Sequence, residues 1–266
     1  MVRIGNQTLR NQFPFLWLIF ILLFNGFFLG CQRPTPIPFS SRQMILVITP
    51  SNDAHHGTLV RYEREDGKYE WSQMEQAIPA VVGKHGLGWG RGLHEEIPSG
   101  IPMKQEGDGK SPAGVFLLSS AFGFLSPDEV GDLKMPYTKI TDMLECVDDS
   151  ESVVYNRVVR RDEVDSVDWK SSEKMIKYKT AYEWGVVVEH NTDETVHGAG
   201  SCIFLHVWSG PDGWTTGCTA MEKSHMEAIL YWLDSSKESV MVQLTQTLYD
   251  TFKRPWRLPN LPPRHE

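Results

Sequence analysis

The chain has 266 residues, of which 41% are hydrophobic and 23% charged, with a formal net charge of -8. That is enough chain for one sizeable core and a short appendage, and the composition excludes both wholesale disorder and a multi-span membrane protein. An acidic balance with no basic stripe also excludes the phosphate-neutralising footprint of a nucleic-acid binder.

At the N-terminus, Arg3 and Arg10 flank the start of an uncharged, largely apolar run from Phe13 to Gly30, the pattern of an export signal. The run ends Phe28-Leu29-Gly30-Cys31, which resembles the bacterial site where a cysteine is lipidated and becomes the mature N-terminus. The alternative is an uncleaved anchor, for which the run is just long enough. Residues 1–30 are therefore expected to be a signal, 31–42 a linker, 43–250 the folded domain and 251–266 a poorly ordered tail. Either outcome implies a bacterial envelope location, membrane-tethered and facing the periplasm or the outer side, where many compartments are oxidising.

The proline- and hydroxyl-rich stretch Gln32–Ser41 favours an extended tether. Met44–Thr49 is a β-rich apolar run closed by Pro50-Ser51-Asn52-Asp53, a strand followed by a turn. Thr58–Arg64 and Tyr69–Met74 flank Asp66-Gly67 and predict a tight hairpin. Ala80–Val82 predicts a further strand, Gly83–Gly92 a loop, and Gly107–Gly114 a tight loop delivering the strand Val115–Leu118. The acidic cluster Glu145–Glu151, within an otherwise illegible stretch from 119 to 184, reads as a solvated loop. Trp184–Glu189 and Cys202–Val207 are expected to be buried strands. Met226, Ile229, Leu230 and Leu233 mark an amphipathic helix over Glu222–Asp234, and Ser239–Thr245 returns to strand. Short strands between glycine turns with one good helix predict a mostly β sandwich or open barrel.

If Cys31 is consumed at the N-terminus, Cys146, Cys202 and Cys218 remain, and an odd number in an exported chain suggests one free thiol. Cys218 lies in Thr215-Thr216-Gly217-Cys218-Thr219, between a buried strand and a helix expected to start near Glu222. A helix start and a neighbouring imidazole would both favour its thiolate. The backbone amides around Thr215, Thr216 and Gly217 are candidates to hold an oxyanion or substrate. A buried cysteine that merely packs is the bland alternative, against which the small polar neighbours weigh. His206, at the end of a rigid strand, is the favoured base, and His197, in the glycine-rich loop Val196–Gly200, is its rival. With Cys218 kept as the thiol, Cys146 and Cys202 are the two able to form a disulfide. A zinc site from His190, His197, His206 and Cys202 lacks the usual paired spacing, and no metal or organic cofactor is expected.

Gly107–Phe116, and His206 followed by Thr215-Thr216-Gly217-Cys218, resemble the early glycine-proline segment and the nucleophile motif of the L,D-transpeptidases, which cross-link peptidoglycan. The likeness spans roughly residues 43 to 247. It implies a β sandwich of mixed sheets with a helix following the catalytic cysteine, a thioacyl-enzyme intermediate on Cys218, and peptidoglycan stem peptides as substrates. The chain departs from the family pattern at Thr216, where histidine is usual, and at Ala220, where arginine is usual, and its interval from histidine to cysteine is short. A divergent branch is implied, with its substrate contacts altered. An L,D-carboxypeptidase or amidase using the same pair, and a non-catalytic envelope lipoprotein that binds glycan or peptide, are the competing readings.

Overall fold

The computed structural model describes residues 35–263; the expected signal over 1–30, Cys31 and the first part of the linker lie outside the described residues. In chain order the strands are β1 (Gln43–Thr49), β2 (His56–Glu63), β3 (Ser72–Gln73), β4 (Ile78–Val81), β5 (Leu87–Trp89), β6 (Ser111–Gly123) and β7 (Tyr137–Lys139). They continue as β8 (Leu144–Cys146), β9 (Val158–Arg160), β10 (Glu173–Lys174), β11 (Trp184–Val188), β12 (Phe204–Val207), β13 (Thr219–Met221) and β14 (Val240–Thr245). The α-helices are α1 (Pro127–Val130), α2 (Lys223–Trp232) and α3 (Gln246–Phe252).

The main sheet runs β1-β14-β6-β11-β12-β13-β4-β2, and β2 pairs back onto β1, so its ladder returns to its start. Closure of this kind removes the unpaired edges that an open sheet would expose. The mostly β class is as expected, and the sheets form a barrel-like arrangement, the second of the two forms that the strand pattern allowed. A small separate sheet, β10-β8-β9, occupies the stretch that was illegible in the sequence.

Every residue of β1 and β14 is buried, as their continuous runs of β-branched and aliphatic side chains require for parallel neighbours covered on both faces. The predicted helical stripe is fully inside, with Met226, Ile229, Leu230 and Leu233 each 0% exposed. Helix α2 packs on β11, β12 and β13 and so braces the strands around Cys218. It stops before the expected Asp234 because Leu233 turns extended, at ψ 139°. Gly114 has a reason beyond turn formation: its φ is 139°, and a Cβ there would lie 1.9 Å from the His94 ring. His94 is a core residue, accepting from the Val115 amide at 3.0 Å and bonding Gly90 O at 3.1 Å.

Four local expectations are corrected. The Asp66-Gly67 turn exists, with Gly67 at φ 73°, but β2 and β3 pair only through Tyr62–Gln73 and Glu63–Ser72. Across the longer intervening loop, the Arg64 guanidinium lies over Trp71, 4.3 Å from its ring centre. The second half of the linker is not a free tether. Ile37 is 2% exposed, and Arg64 donates to the carbonyls of Pro38, Phe39 and Ser41, which gives this proline-rich chain a binding partner for its unpaired backbone.

The tail is also packed. Trp256 is 1% exposed and its ring lies 4.1 Å from that of Phe252 on α3, while Tyr62 and Tyr249 donate to the carbonyls of Asn260 and Pro259. Glu145, finally, is not on a solvated loop. It lies in β8, 1% exposed, and takes hydrogen bonds from Arg161, Trp169 and Ser172. Burial by itself would raise its pKa, but those bonds prevail and hold the carboxyl at about 2.

Candidate active site

His206 and Cys218 arrive on neighbouring parallel strands. In the register of β12 and β13, Leu205 faces Thr219 and His206 faces Ala220, which leaves Cys218 one residue before the first β13 position. Both side chains line one cavity of about 340 Å³. Its wall also includes Lys104, Glu106, Asp148 and Glu173, none of which was singled out from the sequence.

The nucleophile loop is held from two sides. The Cys218 carbonyl accepts from the hydroxyls of Ser111 at 2.7 Å and Thr215 at 2.5 Å, and the Ser111 oxygen in turn accepts from the Gly83 amide at 2.8 Å. The glycine-proline segment that opens β6 therefore fixes the backbone of the cysteine motif, though the two are 107 residues apart. Gly217 is not in a left-handed turn; a Cβ there would lie 3.2 Å from Ile203 Cδ1, a tight contact with the end of that side chain.

The amides near the cysteine divide into used and free. Thr215 N–H donates to Val82 O at 2.9 Å, and Gly217 N–H donates to Thr215 Oγ1 at 3.2 Å. Thr215 and Gly217 thus shape the loop. The N–H groups of Thr216 and Cys218 have no protein acceptor among the described residues, and they are the ones left for an oxyanion.

The thiol is enclosed. Cys218 is 7% exposed, its Sγ accepts from the Phe204 amide at 3.3 Å, and its S–H faces Cys202 O at 3.5 Å. Burial pushes its pKa well above the ordinary value and the nearby Glu173 carboxyl adds to this, against smaller lowering effects of the Phe204 amide and Lys104. The expected help from a helix start is missing. Strand β13 intervenes and α2 begins only at Lys223, beyond the first-turn range over which a helix dipole acts.

His206 is driven the same way. Burial lowers it to about 4, opposed by its bond to Val207 O. That bond, Nδ1 to O at 2.8 Å, sets the tautomer, since a carbonyl only accepts: Nδ1 carries the hydrogen and Nε2 keeps the free lone pair. The resting pair is a neutral thiol and a neutral imidazole, with no hydrogen bond between them among the described residues.

The rival base is elsewhere. His197 is exposed, bonded through Nδ1 to Ser150 O and stacked on Tyr155, and it does not line the cavity. His190 uses both ring nitrogens on the backbone, with Arg91 N and Ala199 O. Cys146 and Cys202 are joined by a disulfide, and Cys218 is the free cysteine among the described residues. Among those residues no group of three or more histidine, cysteine or acidic side chains is arranged to hold a metal.

Among the described residues, a mostly β domain thus brings one free thiol and a histidine to a common cavity. The family model of the YkuD domain, the L,D-transpeptidase catalytic domain, matches residues 52–242, and the chain belongs to that family, whose members are generally cysteine-dependent transpeptidases. No curated protein and no solved structure matches it. The matched segment excludes β1 and α3, so the strand that closes the barrel and the helix that seals its end lie outside it.

Proposed function

We propose that this protein is a cysteine acyltransferase of the L,D-transpeptidase type, acting on peptidoglycan stem peptides through a thioacyl intermediate on Cys218. The observation that carries the reading is the shared cavity of Cys218 and His206, with the imidazole's Nε2 lone pair left free. In the first half-reaction the Cys218 sulfur attacks the amide carbonyl after an L-configured centre, His206 Nε2 takes the thiol proton, and the C–N bond to D-Ala breaks as the leaving nitrogen takes a proton from an acid in the cavity wall. An amine then attacks the thioester and gives its surplus proton back to that group, while the sulfur recovers its own proton from His206.

Because burial disfavours both charges, the proton moves as the sulfur attacks, and no thiolate is stored beforehand. Splitting amide exchange into two acyl transfers is the contribution of the nucleophile. The free amides of Thr216 and Cys218 supply the oxyanion donors, typically worth about 3 to 4 kcal/mol each.

The hydrolase reading uses the same residues with water as acceptor, and Ala220, buried beside His206 where the family pattern has arginine, supports an altered substrate contact in either case. Incubation with muropeptides and mass spectrometry of the products separates the two: dimers or exchanged D-amino acids mark transfer, and shortened monomers alone mark an L,D-carboxypeptidase. The non-catalytic reading draws on the buried thiol, and formation of a Cys218 adduct with a carbapenem-type β-lactam would exclude it. We also propose that Cys31 carries the membrane tether. A Cys31→Ser variant that keeps its acyl labelling and processed mass would contradict that.

A further inference from the structure

One cavity-lining group has no assigned part in this mechanism. Glu173 stands on β10, directly across from Cys146 on β8 in the antiparallel register. Cys146 is bonded to Cys202, and Cys202 O faces the Cys218 thiol. The small sheet and its disulfide therefore deliver a carboxyl group to the cavity that holds the nucleophile. Tyr182, itself in the cavity wall, donates to Glu173 Oε1, which fixes one oxygen and leaves the other to the cavity.

We propose that Glu173 is the second proton-transfer group of this site, protonating the amine that leaves in the first half-reaction and deprotonating the amine that arrives in the second. The inference rests on the acyltransferase reading of Cys218 and His206. The proton balance closes without any further reactant. As the thiol proton passes to His206 and the S–C bond forms, the C–N bond breaks and the departing nitrogen takes the Glu173 proton, leaving a thioester, an imidazolium and a carboxylate. The incoming neutral amine then attacks the thioester, its surplus proton goes to the Glu173 carboxylate, and the imidazolium returns its proton to sulfur.

The surroundings suit both roles. Burial, with the Asp148 and Glu106 carboxylates adding to it, pushes Glu173 up to about 8, so it is mostly a neutral acid at pH 7 yet can give up its proton within reach of that pH. Lys104, the ammonium in the same wall, is engaged by Asp108 at 2.7 Å and by Gln105 O, and besides Tyr182 the Tyr178 hydroxyl and the Cys218 thiol are the titratable groups that feel this carboxyl. Glu106 is less available, because both its oxygens are engaged: Oε2 accepts from Tyr155 and Ser201, each at 2.6 Å, and Oε1 from the Gly107 amide at 3.2 Å.

The test is Glu173→Gln, which keeps an acceptor for Tyr182 but holds no transferable proton. Intact-mass time courses would follow acylation of Cys218 by a stem tetrapeptide, and by the same acyl group carried as a benzyl thioester, whose leaving thiolate needs no proton. The expected result is a loss of roughly 100-fold with the amide donor and of less than about threefold with the thioester. The wild-type amide rate should also decline above pH 8 in a limb that the variant lacks. An unchanged amide rate, or an equal loss with both donors as a purely structural role would give, overturns the assignment. A wild-type protein that acylates with neither donor overturns the acyltransferase reading, and the role of Glu173 falls with it.

Discussion

The Cys146–Cys202 disulfide joins the small sheet to the segment that leads into β12, the strand carrying His206, and its removal has a calculable effect. The bridge closes a loop across a sequence separation of 56 residues. Loop-closure entropy gives about 4 kcal/mol for a link of that span. In a Cys146→Ala/Cys202→Ala variant the unfolded chain regains that freedom, while two small side chains still fit the buried sites at 1% and 7% exposure. For a domain of this size the expected drop in Tm is roughly 8 to 16 °C. Urea unfolding followed by tryptophan fluorescence would measure it, with midpoint and slope fitted separately. Acylation of Cys218 by a donor should slow in the folded variant, since Cys202 O no longer has a fixed place beside the thiol. A stability loss below about 1 kcal/mol would count against this value, because the unfolded chain would then gain little freedom when the bridge is removed.

Three further outcomes are expected. Glu145→Gln should lose about 2 to 3 kcal/mol at pH 7, somewhat less than a fully buried pair because the Arg161 side chain is 36% exposed and can rehydrate; chemical denaturation measures this. As the Glu145 carboxyl is lowered to about 2 from an ordinary 4.5, its contribution should be complete above pH 4.5 and disappear as pH falls towards 2, so the wild-type and variant stability curves should converge in that window. Trp256→Ala should cost about 3 kcal/mol or more, because that side chain is 1% exposed and stacked on Phe252; a thermal shift near zero would mean the C-terminal segment does not seal the barrel. Iodoacetamide should modify Cys218 slowly at pH 7 and faster as pH rises, because the thiolate is suppressed by burial, and a fast reaction at neutral pH would contradict the neutral resting pair.

Much of this molecule was legible where the side-chain pattern alone decides structure. The runs Met44–Thr49, Trp184–Val188 and Phe204–Val207 are strands because their β-branched and aromatic side chains suit a pleated, buried surface. The Met226–Leu233 stripe is a helix face for the same kind of reason. Cys218 and His206 were legible as well, and the structure brings them to one cavity.

What stayed hidden depends on partners distant in sequence. Thr219–Met221 is too short to show a period, and its strand character comes from pairing with β12 and β4. It fills the interval between Cys218 and a helix that starts where its apolar stripe predicts, with Glu222 as N-cap. Glu145 reads as solvated until Arg161, Trp169 and Ser172 are folded around it. Glu173 sits on a strand of two residues, and nothing local marks it as a wall of the site. The proline-rich linker reads as free because the Arg64 guanidinium that binds its carbonyls comes from β2's far end.

The most direct test of the central claim is intact-mass analysis of the protein after brief exposure to a stem-peptide donor, followed by peptide mapping. The expected result is an adduct of the acyl fragment's mass on Cys218, abolished by Cys218→Ala, nearly abolished by His206→Ala and unaffected by His197→Ala. Muropeptide turnover that persists in Cys218→Ala, or an adduct that depends on His197 and not on His206, would contradict it.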